Sequence, residues 1–225
     1  MNTQAQHQRF ANRAAAGDAL ADALAYYRGA DLLVLGLPRG GVAVAARVAE
    51  ELDAELDVIV ARKLQSPISA ELAIGAVTAD GERYLNDGLI SELAVSDMFL
   101  GAVTDMQRAE ARKREQQLRG TRPPPRITGR IVIVVDDGLA TGATMHAAVR
   151  SVRKQRPAHL IVAVPVGSRE ACEALTPEAD EVVCPWRPEP FGAVGLYYEN
   201  FVQTSDAEVQ EILEHSPAMR SIEPW

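Results

Sequence analysis

The sequence predicts an α/β fold with a doubly wound parallel sheet that is covered by helices on both faces. The first observation is a set of short runs rich in Val, Ile and Leu, at 31–37, 56–62, 130–137, 159–166 and 180–186. Runs without polar alternation are typical of strands buried on both faces, as in parallel sheets. The second observation is that helical patterns follow the first and third runs, at 41–52 and 142–155. Strand and helix in alternation favour right-handed crossovers, with ligands at the carboxyl ends of the strands.

One long segment, 64–129, interrupts this alternation because it is too long for a βα crossover. Residues 72–86 are typical of two short strands joined through Asp-Gly, which is a hairpin signal. Ser96 is placed to cap a helix over 97–118, which Gly120 and three consecutive prolines then end. We therefore predict an inserted subdomain, a flexible loop or hood made of a hairpin and a long helix.

The whole chain, 1–225, is predicted to be a single domain. Residues 30–63 and 130–186 form its core sheet, and 187–225 form a C-terminal hood that ends in a closing helix at 205–215. The first 30 residues favour an amphipathic helix that precedes the sheet.

Composition and charge argue against several classes of partner. The net charge of −8 argues against nucleic acid, whose binding surface would be basic. No apolar run approaches the roughly 20 residues that span a bilayer, and the N-terminus has no apolar secretory segment, so no membrane partner is expected. Cys172 and Cys184 are expected to be reduced core thiols in a cytoplasmic protein. The four histidines are scattered and do not indicate a metal site. Arg108, Arg112 and Arg119 could face an active site, but their helical spacing favours a solvated face.

The segment 131–145, IVIVVDDGLATGATM, carries the strongest candidate site. Asp136 and Asp137 follow an apolar strand, and neighbouring side chains on an extended chain point to opposite sides, so separate roles fit them best. Glycines in the next loop allow close backbone approach, threonines supply hydroxyl donors, and the following helix offers unpaired amides and a positive dipole end. Carboxylates for ribose hydroxyls beside amides for phosphate indicate a sugar phosphate. Each part alone also fits an ordinary loop with a helix cap, and it is their order that is specific.

The order of an apolar strand, two acidic residues, a short linker and Thr-Gly-x-Thr resembles the phosphoribosyl pyrophosphate (PRPP) motif of the type I phosphoribosyltransferase family. Here the motif runs from Ile133 to Thr144. PRGG at 38–41, ARKL at 61–64 and ELAIGAV at 71–77 are similar to a bacterial and archaeal subgroup of that family. The resemblance covers most of 31–215. It implies a Rossmann-like fold of the type I kind, with the insertion at the position of the family's flexible loop.

The resemblance implies a transferase of nucleotide metabolism, which displaces pyrophosphate from C1 of PRPP by a nitrogenous acceptor. It implies catalytic roles for Asp136, Asp137 and Lys63, although a solvated surface side chain is a nearly equal alternative for Lys63. Phe191 or Trp186 could stack on a flat ring, or they could only cover the sheet edge. The implied substrate-binding residues are Arg39, Gly40, Gly41, Ala140, Thr141, Gly142, Ala143, Thr144 and Phe191.

Mg²⁺ is the implied cofactor, held mainly by ligand oxygens and water, with Asp136 or Asp137 as a candidate protein ligand and no complete protein cage. Ala140 stands where enzymes that salvage 6-oxopurines usually carry an Asp, which disfavours hypoxanthine and guanine as the acceptor. The family is often dimeric, so a homodimer is a possible assembly. The alternative function is a non-catalytic sensor of PRPP or nucleotide that regulates a partner, and a third is another reaction on a ribose phosphate.

Overall fold

The computed structural model describes residues 9–70 and 72–216. In chain order the strands are β1 (Leu32–Gly36), β2 (Glu55–Val58), β3 (Ala61–Gln65), β4 (Ala73–Thr78), β5 (Arg83–Leu85), β6 (Ile131–Val135), β7 (His159–Ala163) and β8 (Glu181–Val183). The α-helices are α1 (Arg13–Ala23), α2 (Gly40–Leu52), α3 (Asp87–Glu92), α4 (Asp97–Arg119), α5 (Ala143–Lys154), α6 (Arg169–Leu175) and α7 (Asp206–His215). None of the helices in this described part is both long and apolar enough to cross a membrane.

The main sheet has five parallel strands in the order β2-β1-β6-β7-β8. Side chains on one face pack against α1, α2 and α7, and those on the other face pack against α5 and α6. This arrangement confirms the predicted α/β fold with helices on both faces. Because β1 and β6 are neighbours and run in parallel, the loops that follow them begin at the same edge of the sheet.

The predicted strand over 56–62 is divided between two sheets. β2 ends at Val58, and the chain then leaves the main sheet to form β3, which pairs antiparallel with β4. The physical reason is charge, since Arg62 and Lys63 are exposed and a strand buried on both faces cannot hold them. Residues 61–63 therefore belong to the second sheet and not, as predicted, to the core sheet segment 30–63.

The inserted segment forms a three-stranded antiparallel sheet in the order β3-β4-β5. The predicted hairpin is confirmed, because the amide of Thr78 donates to the carbonyl of Glu82 at 2.9 Å and Gly81 has a φ of 102° in the turn. This sheet does not join the main sheet. It packs on α5, where Ala76 of β4 and Ala143 lie in one buried cluster.

The predicted helices also form, with bounds close to those expected. In α4, Ser96 is the N-cap, its hydroxyl oxygen accepts from the amide of Phe99 at 3.3 Å, and Gly120 ends the helix with a φ of 61°. α1 precedes the main sheet and α7 closes the described chain. Cys172 and Cys184 are free, buried thiols, as expected. The division of the chain into a core and hoods stays a prediction.

The predicted solvated face of α4 is wrong at Arg119, which ties α4 to the edge of the main sheet. Its Nε lies 3.2 Å from both carboxylate oxygens of Asp57, and Nη2 donates to the carbonyl of Val58 at 3.2 Å. The side chains of Arg119 and Asp57 are only 13% and 3% exposed. Burial raises the pKa of Asp57, and the guanidinium of Arg119 opposes that shift. Helical spacing gave no sign of this contact because the partner lies 62 residues away.

Replacing Arg119 by Met should therefore destabilise the protein strongly, because it leaves the Asp57 carboxylate buried without its counter-charge. The expected loss in the free energy of unfolding is about 3–5 kcal/mol. Arg112→Met on the exposed face of the same helix is the matched control and should change stability by less than about 0.5 kcal/mol. Urea unfolding of both variants measures the difference. Equal stabilities would show that the Asp57–Arg119 pair does not hold α4 in place.

Candidate active site

Three loops meet at the carboxyl edge of the main sheet, after β1, β6 and β7. The amide of Leu37 donates to the carbonyl of Val135 at 2.9 Å, which joins the first loop to the end of β6. Leu139 donates to the carbonyl of Val166 at 2.9 Å and accepts from the amide of Ser168 at 2.8 Å, which joins the second loop to the third. The loops are thus fixed to one another by backbone hydrogen bonds.

The loop after β1 touches the two aspartates at the end of β6 through glycines. A Cβ atom built on Gly40 would lie 1.9 Å from Oδ2 of Asp137, and one built on Gly41 would lie 2.8 Å from Cα of Asp136. No side chain fits at either position without a shift of the loop or of the carboxylate. Glycine is therefore required here for close approach of the backbone.

The two carboxylates make different contacts within the protein, and separate roles toward a ligand stay a prediction. Oδ1 of Asp136 accepts from the amide of Asp137 at 2.8 Å. Oδ2 of Asp137 accepts from Nε of Arg13 at 2.8 Å and lies 2.8 Å from its Nη2. Burial raises the pKa of both aspartates, and Asp137 raises that of Asp136 further. Arg13 lowers both pKa values, so a cation from α1 offsets part of the cost of holding two adjacent anions.

The loop between β6 and α5 offers backbone donors. Gly142 has a φ of 76°, a left-handed conformation that favours glycine, and it is the N-cap of α5. Within residues 9–70 and 72–216, no protein group accepts from the amides of 140–144. The hydroxyl of Ser168 donates to the carbonyl of Ala140 at 3.0 Å, which attaches this loop to the one after β7. Thr141 is exposed at its tip. Such a helix N-terminus is suited to an anion.

Comparison with known proteins identifies this arrangement. The sequence profile of the family described as "Phosphoribosyl transferase domain" matches residues 5–198. The chain belongs to this family. Family membership, predicted from the motif at 133–144, is thereby confirmed.

Similar proteins occur in Mycobacterium tuberculosis and in Thermus thermophilus. Two Mycobacterium tuberculosis proteins, from strains CDC 1551 / Oshkosh and ATCC 25618 / H37Rv and both named "Putative phosphoribosyl transferase", are 44% identical over 207 residues, 92% of this chain. The chain spans about half of their length, 47%. The crystal structure of TT1426 from Thermus thermophilus is 44% identical, with a TM-score of 0.77, and the match covers 92% of this chain and 98% of that one.

Of the two other basic residues predicted in the site, Lys63 acts on Asp136 through its charge and Arg39 faces α7. Lys63 is exposed at the start of the second sheet, and its charge lowers the pKa of Asp136. Nη1 of Arg39 lies 3.7 Å from Oδ1 of Asp206, at the first turn of α7. Asp206 is also paired with Arg114 of α4. To bind a ligand through Nη1, Arg39 would therefore give up its long contact with Asp206.

Phe191 lies in an aromatic cluster above the third loop. Its ring stacks on Tyr197 with centroids 5.1 Å apart and an interplanar angle of 28°. Trp186 contacts the ring of Tyr197 edge-on, with centroids 4.9 Å apart. The neighbouring Tyr198 reaches the site directly, since its hydroxyl donates to the carbonyl of Asp137 at 2.5 Å. Both aromatic residues named from the sequence thus cover the sheet edge, and a role for either in stacking on a ligand stays a prediction.

The donor set suits a hard cation only in part. Among residues 9–70 and 72–216, no group of three or more His, Cys, Asp or Glu side chains could hold a metal ion. The carboxylate oxygens of Asp136 and Asp137 are of the kind that Mg²⁺ prefers. These two residues fit Mg²⁺ as partial ligands, alongside oxygens from a bound ligand and water.

Two side chains of the site were missed in the sequence. Arg13 is separated from Asp137 by 124 residues, and Tyr198 by 61. Neither belongs to a motif, because each reaches the aspartates only through the packing of α1 and of the segment after β8. Local sequence patterns therefore give no signal that marks them.

The close approach of Gly40 to Asp137 predicts opposite effects for two glycine substitutions. Gly40→Ala should lower the free energy of unfolding by about 1–3 kcal/mol, because the new methyl group overlaps the carboxylate. Gly101→Ala in α4, where a Cβ meets nothing within 4 Å, should raise it by about 0.5–1 kcal/mol. Denaturant unfolding measures both values. A Gly40→Ala variant as stable as Gly101→Ala would refute the close packing of the two loops.

Proposed function

We propose that this domain transfers the 5-phosphoribosyl group of PRPP to a nitrogenous acceptor, with displacement of pyrophosphate. One observation carries the proposal: two adjacent carboxylates at a strand end lie beside a helix N-terminus whose amides have no acceptor within residues 9–70 and 72–216. A ribose phosphate presents a vicinal diol and a phosphate at matching positions. Carboxylates accept from hydroxyls, and amides donate to phosphate oxygens.

The ribose 5-phosphate half of PRPP would bind between 136–137 and 140–144. The 5′-phosphate takes the amides at the start of α5 and the hydroxyls of Thr141 and Thr144. The diol takes Asp136 and Asp137. Because the two sets of contacts hold the sugar from opposite ends, its C1 atom is fixed in place for attack.

The pyrophosphate would bind at the loop after β1. Gly40 and Gly41 begin α2, and no protein group in the described parts of the chain accepts from their amides. Arg39 lies at the same helix end, and Lys63 approaches from the second sheet. These groups stabilise the negative charge that develops on pyrophosphate as the C1–O bond breaks. Mg²⁺, when bound with Asp136 or Asp137 as a partial ligand, supplies further neutralisation of that charge.

The reaction proceeds through a sugar with oxocarbenium character, so the protein's task is to orient the reactants, stabilise charge and exclude water. Ala140 cannot transfer a proton. An acceptor nitrogen that carries a lone pair without prior deprotonation fits this site best. The segment that follows β8, with Phe191 and Trp186, is the proposed wall of the acceptor subsite.

The deciding measurement is pyrophosphate release from PRPP and Mg²⁺ across a panel of purine bases, pyrimidine bases and amines. Release that depends on one acceptor supports the transferase. Tight binding of PRPP without turnover on any acceptor supports the sensor instead. Absence of both would refute the proposal, because neither function survives without PRPP binding.

Asp136→Asn combined with Asp137→Asn should weaken Mg²⁺-dependent PRPP binding by about ten-fold or more. A hydrogen bond to a charged acceptor contributes roughly 1.5–3 kcal/mol, and 1.4 kcal/mol corresponds to about a factor of ten. Folding should change little, because the repulsion between the two adjacent carboxylates is removed while Arg13 loses the charge of its partner. Calorimetry and thermal unfolding check both parts. Unchanged affinity with a large loss of melting temperature would make the pair structural.

Thr141→Val should weaken binding of any ribose 5-phosphate by about ten-fold or more, since a hydrogen bond to a charged acceptor contributes roughly 1.5–3 kcal/mol. The loss should be the same with and without Mg²⁺, because the hydroxyl serves the 5′-phosphate. Calorimetric titration with ribose 5-phosphate under both conditions tests this. Unchanged affinity for ribose 5-phosphate together with weaker binding of PRPP would place Thr141 at the pyrophosphate instead.

A further inference from the structure

Arg13, in the first turn of α1, is fully engaged at the edge of the candidate site. Its Nε and Nη2 lie 2.8 Å from the same oxygen of Asp137, Oδ2. Its Nη1 donates to the carbonyl of Val202 at 2.6 Å, and the guanidinium lies 4.0 Å above the ring of Phe201. The side chain is 11% exposed. This combination of donors and stacking fixes the guanidinium in one orientation.

The guanidinium also lies against the loop after β1. A Cβ atom on Gly40 would be 2.7 Å from Nε of Arg13, so the backbone of that loop passes directly over the Arg13–Asp137 pair. One side chain from α1 therefore contacts both the carboxylate assigned to the ribose diol and the loop assigned to pyrophosphate. Arg13 lies outside both the PRPP motif at 133–144 and the PRGG loop at 38–41.

The segment 197–202, which Arg13 also holds, is attached to the N-terminal part of the chain by its backbone. Phe10 donates to the carbonyl of Tyr197 at 2.9 Å and accepts from the amide of Glu199 at 2.8 Å. Asn200 donates to the carbonyl of Ala11 at 3.0 Å. Arg13 thus links these paired segments to Asp137, through its contacts with both Val202 and Asp137.

We infer that Arg13 is a positioning residue for PRPP, which acts through Asp137; the inference rests on the proposed function. Two N–H groups on Oδ2 restrict the carboxylate to one orientation and leave Oδ1 for a ribose hydroxyl. The third contact, to Val202, joins this orientation to the segment that covers the site. A planar guanidinium can make these bonds together, whereas the single ammonium of Lys cannot.

The test compares Arg13→Gln, Arg13→Lys and the control Arg47→Gln, by calorimetry with two probes. Arg47 is a suitable control because its ion pairs are with Asp18, Glu50 and Glu51, on the outer surface of the same helical layer. The probes are PRPP with Mg²⁺, which needs the diol contact, and inorganic phosphate, which has no diol and needs only the donors at the N-termini of α2 and α5. Thermal unfolding of each variant accompanies the titrations.

Arg13→Gln is expected to weaken PRPP binding about ten-fold, the scale of a lost charge-assisted hydrogen bond, and to leave phosphate binding unchanged. Arg13→Lys should fall between wild type and Arg13→Gln, at a loss of about three-fold, because the charge remains but the fork geometry is lost. Arg47→Gln should bind both probes as the wild type does.

A double-mutant cycle separates positioning from a general effect on folding. In an Asp137→Asn background, Arg13→Gln should weaken PRPP binding by less than about two-fold, because residues that act as one unit are not additive. A full ten-fold loss in that background would overturn the inference, since Arg13 would then act without Asp137.

The remaining outcomes are also decisive. An equal loss of PRPP and phosphate affinity in Arg13→Gln would show that the role of Arg13 is structural. Unchanged PRPP affinity would show that Arg13 does not position PRPP. If Arg13→Gln does not fold, Arg13→Lys decides, and wild-type PRPP affinity in that variant overturns the inference. A wild-type protein that does not bind PRPP refutes the proposed function itself, which the wild-type titration shows independently of the variants.

Discussion

The contact between the loop after β1 and the loop after β6 is the constraint on which the site depends. Because β1 and β6 are hydrogen-bonded parallel neighbours, both loops leave the sheet at one edge. Gly40 and Gly41 then let the first backbone touch Asp137 and Asp136 directly. Two helix N-termini, those of α2 and α5, are thereby brought to either side of one pair of carboxylates. Any larger residue at either glycine would separate donors for anions from acceptors for hydroxyls.

Two adjacent carboxylates repel each other, and cations from distant parts of the chain offset part of that repulsion. Burial and mutual repulsion raise the pKa of Asp136, and burial raises that of Asp137. Arg13 from α1 opposes both shifts, and Lys63 from β3 opposes that of Asp136. The protein as a whole carries a net charge of −8, so attraction of a polyanionic ligand must come from this local set and from the helix dipoles. Long-range steering by net charge would work against binding.

The sequence was informative where one local rule decided the outcome. Continuous apolar runs located the main strands, Asp80-Gly81 located the hairpin turn, and the motif at 133–144 identified the family. It was misleading where a contact joined distant residues. Arg119 follows a helical spacing typical of a solvated face but reaches the buried Asp57. Arg13 likewise has no local signal, since only the packing of α1 against the end of β6 places it beside Asp137.

The two sides of the site differ in how firmly they are held. α5 lies between the main sheet and the second sheet. Two contacts join it to the hairpin: the hydroxyl of Ser151 donates to Asp80, and the ring of Tyr84 stacks on His146 with centroids 4.4 Å apart. The backbone amides of 140–144 therefore lie at the start of a helix that is packed on both sides. The segment 197–206 is instead held by backbone hydrogen bonds to residues 10 and 11 and by long side chains such as those of Arg13 and Arg39. A change in that segment therefore need not move the loop at 140–144, because the two depend on different contacts.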